Sequence, residues 1–183
     1  MTSPDRAVAD AFYALALDNP WLVRAGEVGA YALHPWVFRI AVTGACVEVA
    51  GGRPRTAVVC GSVLVGGTLA GVAMKLVVAR PRPVWADPVA AEIGYSMPSS
   101  HALNAGLGCG LLVVLARPWL SRQGHLRTAI GGAVVVAGVT ALDRLLLGVH
   151  YLSDVGVGAG LGALLAVLAN RLSGGDRLTA GST

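Results

Sequence analysis

Charged residues thin out along this chain to leave long apolar intervals, and those intervals set the expected architecture. Residues 56–74 carry no charge and match the roughly 20 apolar residues a helix needs to cross a bilayer core. Weaker apolar stretches follow at 102–116, 128–142 and 155–170, with Leu145-Leu146-Leu147 extending the middle one. A further stretch at 35–50 is interrupted by Arg39 and Glu48, and an ionisable side chain costs roughly 2.5–3.5 kcal/mol at the bilayer centre. Counting it, the pattern predicts an all-α, integral-membrane helical bundle of about five transmembrane helices. Glycines fall inside the apolar stretches at positions 67 and 71, 106 and 110, and 156, 158, 160 and 162. Four-residue spacing puts small residues on one helix face, where backbones approach closely in lipid.

The first residues read differently. Asp5, Asp10, Asp18, Arg24 and Glu27 break any long apolar run, so no signal peptide is expected. Residues 1–34, punctuated by Asn19-Pro20, read as an interfacial segment of two helical pieces, with Tyr13, Trp21 and Tyr31 available to the membrane surface. Residues 35–172 form the membrane-embedded domain, and 173–183, rich in Gly, Ser and Thr, a disordered tail.

Composition agrees with a membrane class. Of 183 residues, 55% are hydrophobic and 13% charged, with mean hydropathy +0.66. The net charge of +4 does not imply a nucleic-acid partner, because the basic residues are dispersed among apolar helices with few aromatics between them. Cys46, Cys60 and Cys109 lie in apolar stretches without metal-ligand spacing and read as small core residues. No cofactor is expected, and the pattern does not fix an oligomeric state.

With five spans the loops alternate, and three polar clusters land on one side: Lys75 with Arg82-Pro83, Pro98-Ser99-Ser100-His101, and Arg144 with His150 and Asp154. The opposite loops hold Arg53 and Arg55, then Arg117, Arg122 and Arg127, then Arg171 and Arg177. By the positive-inside rule those loops are cytoplasmic, which places the clusters on the extracytoplasmic face of a cell membrane.

Lys75 is the only lysine among 14 basic residues, and a compact ammonium suits phosphate as a point charge. In isolation it would read as a snorkelling helix-end lysine. Pro81 and Pro83 stop the helix and fix the direction in which Arg80 and Arg82 leave it; Arg82 suits a bidentate phosphate contact, while Arg80 is either a second contact or an interfacial charge. Ser99 and Ser100 stand where a helix begins, with unpaired amides available to an anion and His101 in the first turn. His150 and Asp154, four apart, share a helix face, so the carboxylate can fix the imidazole tautomer and leave the other nitrogen as a nucleophile. His34 and His125 have no such companions and read as interfacial or loop residues.

These residues resemble the type 2 phosphatidic acid phosphatase family, whose phosphate pocket is shared with bacterial acid phosphatases and vanadium haloperoxidases. The family's lysine, six residues, Arg-Pro element is met by Lys75 and Arg82-Pro83. Its Pro-Ser-Gly-His element is met by residues 98–101 with Ser100 in place of glycine, and its Ser-Arg, five residues, His, three residues, Asp element by Asp143-Arg144, His150 and Asp154 with Asp143 in place of serine. The resemblance implies metal-independent hydrolysis of a lipid phosphate or diphosphate, of polyprenyl diphosphate or phosphatidylglycerol phosphate type, through a phosphohistidine. In that scheme His150 attacks phosphorus, Asp154 orients it, His101 protonates the leaving oxygen and then activates water, and Lys75, Arg82, Ser99, Ser100 and Arg144 bind phosphate. Ser100 either narrows the approach to phosphate or adds a hydroxyl, and Asp143 either competes for the Arg144 guanidinium or orients it. An alternative from another class is a non-catalytic lipid-phosphate binding or transport protein that retains the pocket. The chain is also expected to lack the first span of many relatives.

Overall fold

The computed structural model describes residues 3–174 as seven helices joined by short turns and one long loop. They are α1 (Pro4–Asp18), α2 (Pro20–Ala32), α3 (Pro35–Ala50), α4 (Pro54–Val78), α5 (Ser100–Arg122), α6 (Leu126–Leu146) and α7 (Leu152–Leu172). The first four each open on a proline, whose fixed φ suits the first helical position and whose missing N–H is not needed there. The expected disordered tail lies outside the described residues except for Ser173 and Gly174.

Four helices, α4 to α7, are long and apolar enough to cross a membrane. The fifth expected span, α3, has 16 residues, about 24 Å of helix against a hydrocarbon core of about 30 Å. It packs on α4 and α5, with Phe38 and Val42 buried. Large apolar side chains on the outer face of α4, among them Val58, Val65, Leu69 and Leu76, stay exposed as a lipid-facing surface requires.

Helix α5 is the axis of the bundle. Leu103, Leu107, Leu111 and Leu115 recur every four residues along one face and are at most 2% exposed. Its tightest neighbour is α7, because glycine removes the side chains between them. A Cβ on Gly158 would stand 2.7 Å from the carbonyl oxygen of Ser99, one on Gly106 would stand 2.7 Å from that of Ala159, and one on Gly162 would meet Leu103 more closely still. The four clustered glycines of α7 thus divide between two faces. Gly158 and Gly162 form the seam, whereas Gly156 and Gly160 have nothing within 4 Å and line an apolar groove of about 720 Å³ between α6 and α7.

Helix α4 ends at Ala79, which takes a left-handed conformation (φ 46°) as the C-cap. The chain then crosses the end of the bundle in the loop 79–99 before re-entering as α5. The N-terminal helices lie at this same end, α2 against α6 and α1 against α6 and α7. Tyr13, expected at the membrane surface, instead stacks on Trp85 of the loop at 4.1 Å and donates to the Asp87 carbonyl. Trp21 and Tyr31 do remain exposed.

Candidate active site

Three of the predicted clusters meet at the end of the bundle closed by the 79–99 loop, and the way each arrives is local. Helix α5 starts at Ser100, which sets His101 in its first turn; Arg144 sits in the last turn of α6; His150 precedes α7, and Asp154 lies in that helix's first turn. All four are buried, Asp154 and His150 almost completely, at 0% and 1% exposed. Arg82 turns back from the loop and donates through Nη1 to the Val149 carbonyl at 2.9 Å and through Nε to the Gly94 carbonyl at 3.0 Å.

The contacts of His150 fix its tautomer. Arg82 Nη1 stands 3.1 Å from Nε2, and because a guanidinium only donates, Nε2 accepts and the ring proton of the neutral imidazole resides on Nδ1. That nitrogen faces Asp154 Oδ2 at 3.5 Å, a separation longer than a closed hydrogen bond and short enough to tighten into one. Burial holds His150 below its ordinary pKa, with Asp154 opposing and Arg82 assisting that shift. A neutral imidazole whose unprotonated Nε2 faces Arg82 and the pocket is the state a nucleophile requires once that contact is released. Asp154 is fixed in turn. Its Oδ1 accepts from Arg80 Nη1 at 2.8 Å and its Oδ2 from the Tyr151 amide at 2.9 Å.

At the centre of the cluster lies a residue absent from every predicted motif. Glu92 of the loop accepts from Arg82 Nη2 at 3.0 Å and from Arg144 Nη1 at 2.8 Å, and its oxygens stand 4.0 Å from both His101 Nδ1 and His150 Nε2. Burial would raise its pKa, but Arg82 and Arg144 outweigh burial and hold it below the usual carboxylate range. Two guanidinium groups and two imidazoles therefore surround one anion, leaving a small cavity of about 200 Å³ beside Arg82, Trp85, Glu92, Gly148 and Val149.

Arg144 is shared. Its Nε and Nη2 donate to Asp143 Oδ2 at 3.0 and 2.6 Å, and only Nη1 reaches Glu92. Of the two sequence alternatives for Asp143, orienting the guanidinium is the one its geometry favours. Lys75 is at the margin of the cluster, its ammonium donating to the Tyr95 carbonyl at 2.6 Å. Ser99 is fully buried; its amide donates to the Asp154 carbonyl at 3.0 Å, while its hydroxyl has no partner among the described residues. Ser100 supplies the first residue of α5, and its carbonyl accepts from Asn104.

Three further residues, Arg80, Asp5 and His34, belong to this end in ways the sequence did not suggest. Arg80 is neither a free interfacial charge nor a contact to the central anion: it bridges Asp154 to Asp5, at 2.8 Å each, and stacks on Tyr151. Asp5 also accepts from the Ser153 amide at 3.0 Å and from its hydroxyl, so α1 is tied to the start of α7. His34, expected to lack companions, stands edge-on to His101 with ring centroids 5.3 Å apart. The signal that could have found Asp5 is its status as the acidic residue of a first helical turn; Glu92 has no local signature.

Comparison with known proteins yields relatives with this arrangement of helices. The chain is 35% identical over 111 residues to phosphatidylglycerophosphatase B of Bacillus subtilis, covering 58% of this chain and 53% of that protein. It is 36% identical over 107 residues to decaprenylphosphoryl-5-phosphoribose phosphatase of Mycobacterium tuberculosis, covering 57% and 54%. The matched stretch thus spans about half the length of these curated relatives. The crystal structure of a transmembrane PAP2 type phosphatidylglycerolphosphate phosphatase from Bacillus subtilis superposes with a TM-score of 0.80 at 25% identity, over 93% of this chain and 84% of that one. The sequence profile of the PAP2 superfamily matches residues 55–177, a stretch that holds every predicted motif. This chain belongs to the PAP2 superfamily.

Proposed function

We propose that the chain is a membrane lipid phosphatase that removes a terminal phosphate through a phosphohistidine. The observation that carries the reading is the position of the Glu92 carboxylate, bound by Arg82 and Arg144 and bordered by both imidazoles at 4.0 Å. A substrate phosphate that displaced it would meet the same donors. His150 Nε2 attacks phosphorus, the bond to the leaving oxygen breaks, and His101 gives that oxygen its proton. Asp154 stabilises the charge that develops on the His150 ring. Water deprotonated by His101 then attacks the phosphohistidine, releasing inorganic phosphate and restoring both rings. Arg82 and Arg144, with Lys75 and the Ser99-Ser100 start of α5, hold the phosphoryl oxygens as their charge redistributes.

The scheme assigns no step to a metal ion, so turnover is expected to persist in excess chelator. The names of the two curated relatives describe lipids of one kind, in which the terminal phosphate sits on a polyol already joined to the lipid through another phosphate. That class is the reading we adopt for the substrate, with a prenyl diphosphate as its compact counterpart. The excess of arginine in the opposite loops supports an extracytoplasmic site.

Replacement of His150 by alanine tests the reading. Turnover is expected to fall at least about a thousandfold, with loss of acid-labile phosphate on the protein. His101→Ala is expected to retain phosphoryl transfer from substrates with good leaving groups. Unchanged turnover in His150→Ala removes the covalent mechanism, and binding without turnover in the unaltered protein points to a transport or binding role instead.

A further inference from the structure

The cations at the site end are mostly matched by carboxylates: Arg6 by Asp10, Arg80 by Asp5 and Asp154, Arg82 by Glu92, and Arg144 by Asp143 and Glu92. Arg39 is different. It lies one turn into α3, half-buried, and meets no carboxylate among the described residues. Its Nε donates to Asn104 Oδ1 at 3.1 Å, and its guanidinium lies over the Trp36 ring at 4.8 Å. Asn104 is itself held, its Nδ2 donating to the Ser100 carbonyl at 2.8 Å. Neither neighbour neutralises the charge, and an unneutralised cation at membrane depth marks function more often than packing.

Its position relative to His101 supplies the direction. Asn104 follows His101 by three residues on α5, so the two share a face about 4.5 Å apart along the axis. His34, at the start of α3, stands edge-on to His101. Helix α3 packs on α4 and α5, whereas Arg144, His150 and Asp154 come from α6 and α7. Helix α3 therefore borders the proposed acid on a side that the helices carrying the nucleophile do not occupy. In an in-line displacement the leaving group departs opposite the nucleophile, which carries it past His101 towards α3.

We propose that Arg39, held by Asn104 and Trp36, is a second anion subsite that binds the phosphate carried by the substrate's leaving group. The subsite rests on the phosphatase reading above and deepens it: it selects lipids whose departing alcohol or phosphate bears a further negative charge. A phosphodiester within the headgroup and the lipid-linked phosphate of a prenyl diphosphate share this chemistry. Arg39 supplies two Nη groups for it, since only Nε is engaged by Asn104.

The test compares three substrates in detergent micelles: phosphatidylglycerol phosphate, a prenyl diphosphate and phosphatidic acid, whose leaving alcohol is uncharged. For Arg39→Gln, KM is expected to rise about tenfold more for the first two than for phosphatidic acid, with kcat changing in parallel for all three, and Arg39→Lys is expected to restore part of the difference. If only the phosphatidylglycerol phosphate KM moves, the subsite reads a phosphodiester; if only the diphosphate moves, it reads the lipid-linked phosphate of the departing prenyl phosphate. Equal shifts for all three, or none, overturn the subsite. Because the variant could also disturb the α3–α5 contact, the unaltered protein provides an independent readout. Phosphatidylglycerol is expected to inhibit it competitively at least about fivefold more strongly than diacylglycerol, and equal inhibition overturns the proposal. An unaltered protein that hydrolyses none of the three substrates fails the phosphatase reading itself, a result distinct from loss of selectivity.

Discussion

The two sides of the pocket are built in different ways. On the His150 side the polar contacts converge on Asp154 in the first turn of α7: Asp154 is held by the Tyr151 amide and by Arg80, the Ser99 amide meets the Asp154 carbonyl, and the glycine seam locks α5 against α7 directly behind them. On the Glu92 side the central anion is one loop side chain with 28% of its surface exposed. In the proposed mechanism the reacting imidazole is thus fixed before substrate arrives, while the place the phosphate would take is held by a group that can leave. Preorganisation of this kind spends nothing on rearranging the nucleophile and confines the motion to a loop.

Breaking the seam is expected to have the largest effect. Gly158→Val would drive side-chain atoms into the Ser99 carbonyl, a backbone atom that cannot swing aside, and so displace the contact that sets Asp154. Overpacking of this sort costs about 1–3 kcal/mol or more, and misplacement by about 1 Å costs on the order of a hundredfold in rate. Gly160→Val, on the same helix but facing the groove with nothing within 4 Å, is expected to stay within about twofold of the unaltered protein. Thermal midpoint and turnover measured on the pair decide the matter, and equal behaviour of the two variants would end the seam argument.

Next in size is Arg80. Arg80→Gln removes the charged partner of Asp154 Oδ1 without touching the pocket, so kcat is expected to fall about tenfold with KM within about twofold. A change confined to KM would instead make Arg80 a substrate contact. Its second partner gives a pH signature. Although burial opposes the shift, the Ser153 and Arg80 hydrogen bonds hold Asp5 below its ordinary value of 3.8. A depressed folded value means the stabilisation is complete above 3.8 and is lost as pH falls through the lower folded value. Amide exchange in α1 is expected to accelerate selectively in that acid range, and Asp5→Asn to abolish the pH dependence. His150 contributes separately: with its pKa below the ordinary value, kcat/KM is expected to decline only as pH falls beneath about 6.5.

The same contrast explains what could be read from sequence. The His150 side consists of residues close in sequence at the starts of α5 and α7, His150 with Asp154 and Ser99 with His101, so short spacing already suggests each pair as neighbours. The apolar intervals likewise yield α4 to α7, but α3 is marginal in sequence because Arg39 interrupts it, and it is short in structure. Glu92, Asp5 and His34 lie in the loop, in the first helix and at a helix junction, and they reach the site only through tertiary closure. No periodicity links Asp5 to Ser153 across 148 positions. Glycine spacing showed that a close face exists on α7 but did not say which of the two alternate pairs forms it.

Glu92 is where the comparison can be sharpened. If its carboxylate stands in the phosphate position, Glu92→Gln removes a competitor for Arg82 and Arg144, lowering KM and the inhibition constants of phosphate and vanadate by about three- to tenfold. Because its pKa lies below the usual range, the competitor stays ionised at working pH, and the difference between variant and unaltered protein is expected to be flat across neutral pH. A fall in kcat with KM unchanged would give Glu92 a part in the chemistry and remove its role as a stand-in.

The smallest expected effect lies at Asp143, where the two sides of the pocket meet. Its carboxylate occupies the Nε and Nη2 edge of Arg144 and leaves Nη1 for the central anion, so it both orients the guanidinium and withholds donors from phosphate. These roles pull in opposite directions. Removing the carboxylate frees donors, which would lower KM, but leaves a buried cation with one fewer partner, a loss of about 3 kcal/mol when nothing compensates. Here Glu92 or the substrate compensates in part, and the other oxygen of Asp143, Oδ1, faces Gly26 of α2. Asp143→Ser is therefore expected to lower the thermal midpoint of the free protein by a few degrees while changing kcat/KM by no more than about threefold, and Asp143→Asn, which keeps an acceptor, to change both less. The order of the two variants is the informative result. Should Asn be as harmful as Ser, the negative charge rather than the acceptor geometry holds Arg144, and Asp143 is part of the electrostatic balance of the site and not merely a splint for one guanidinium.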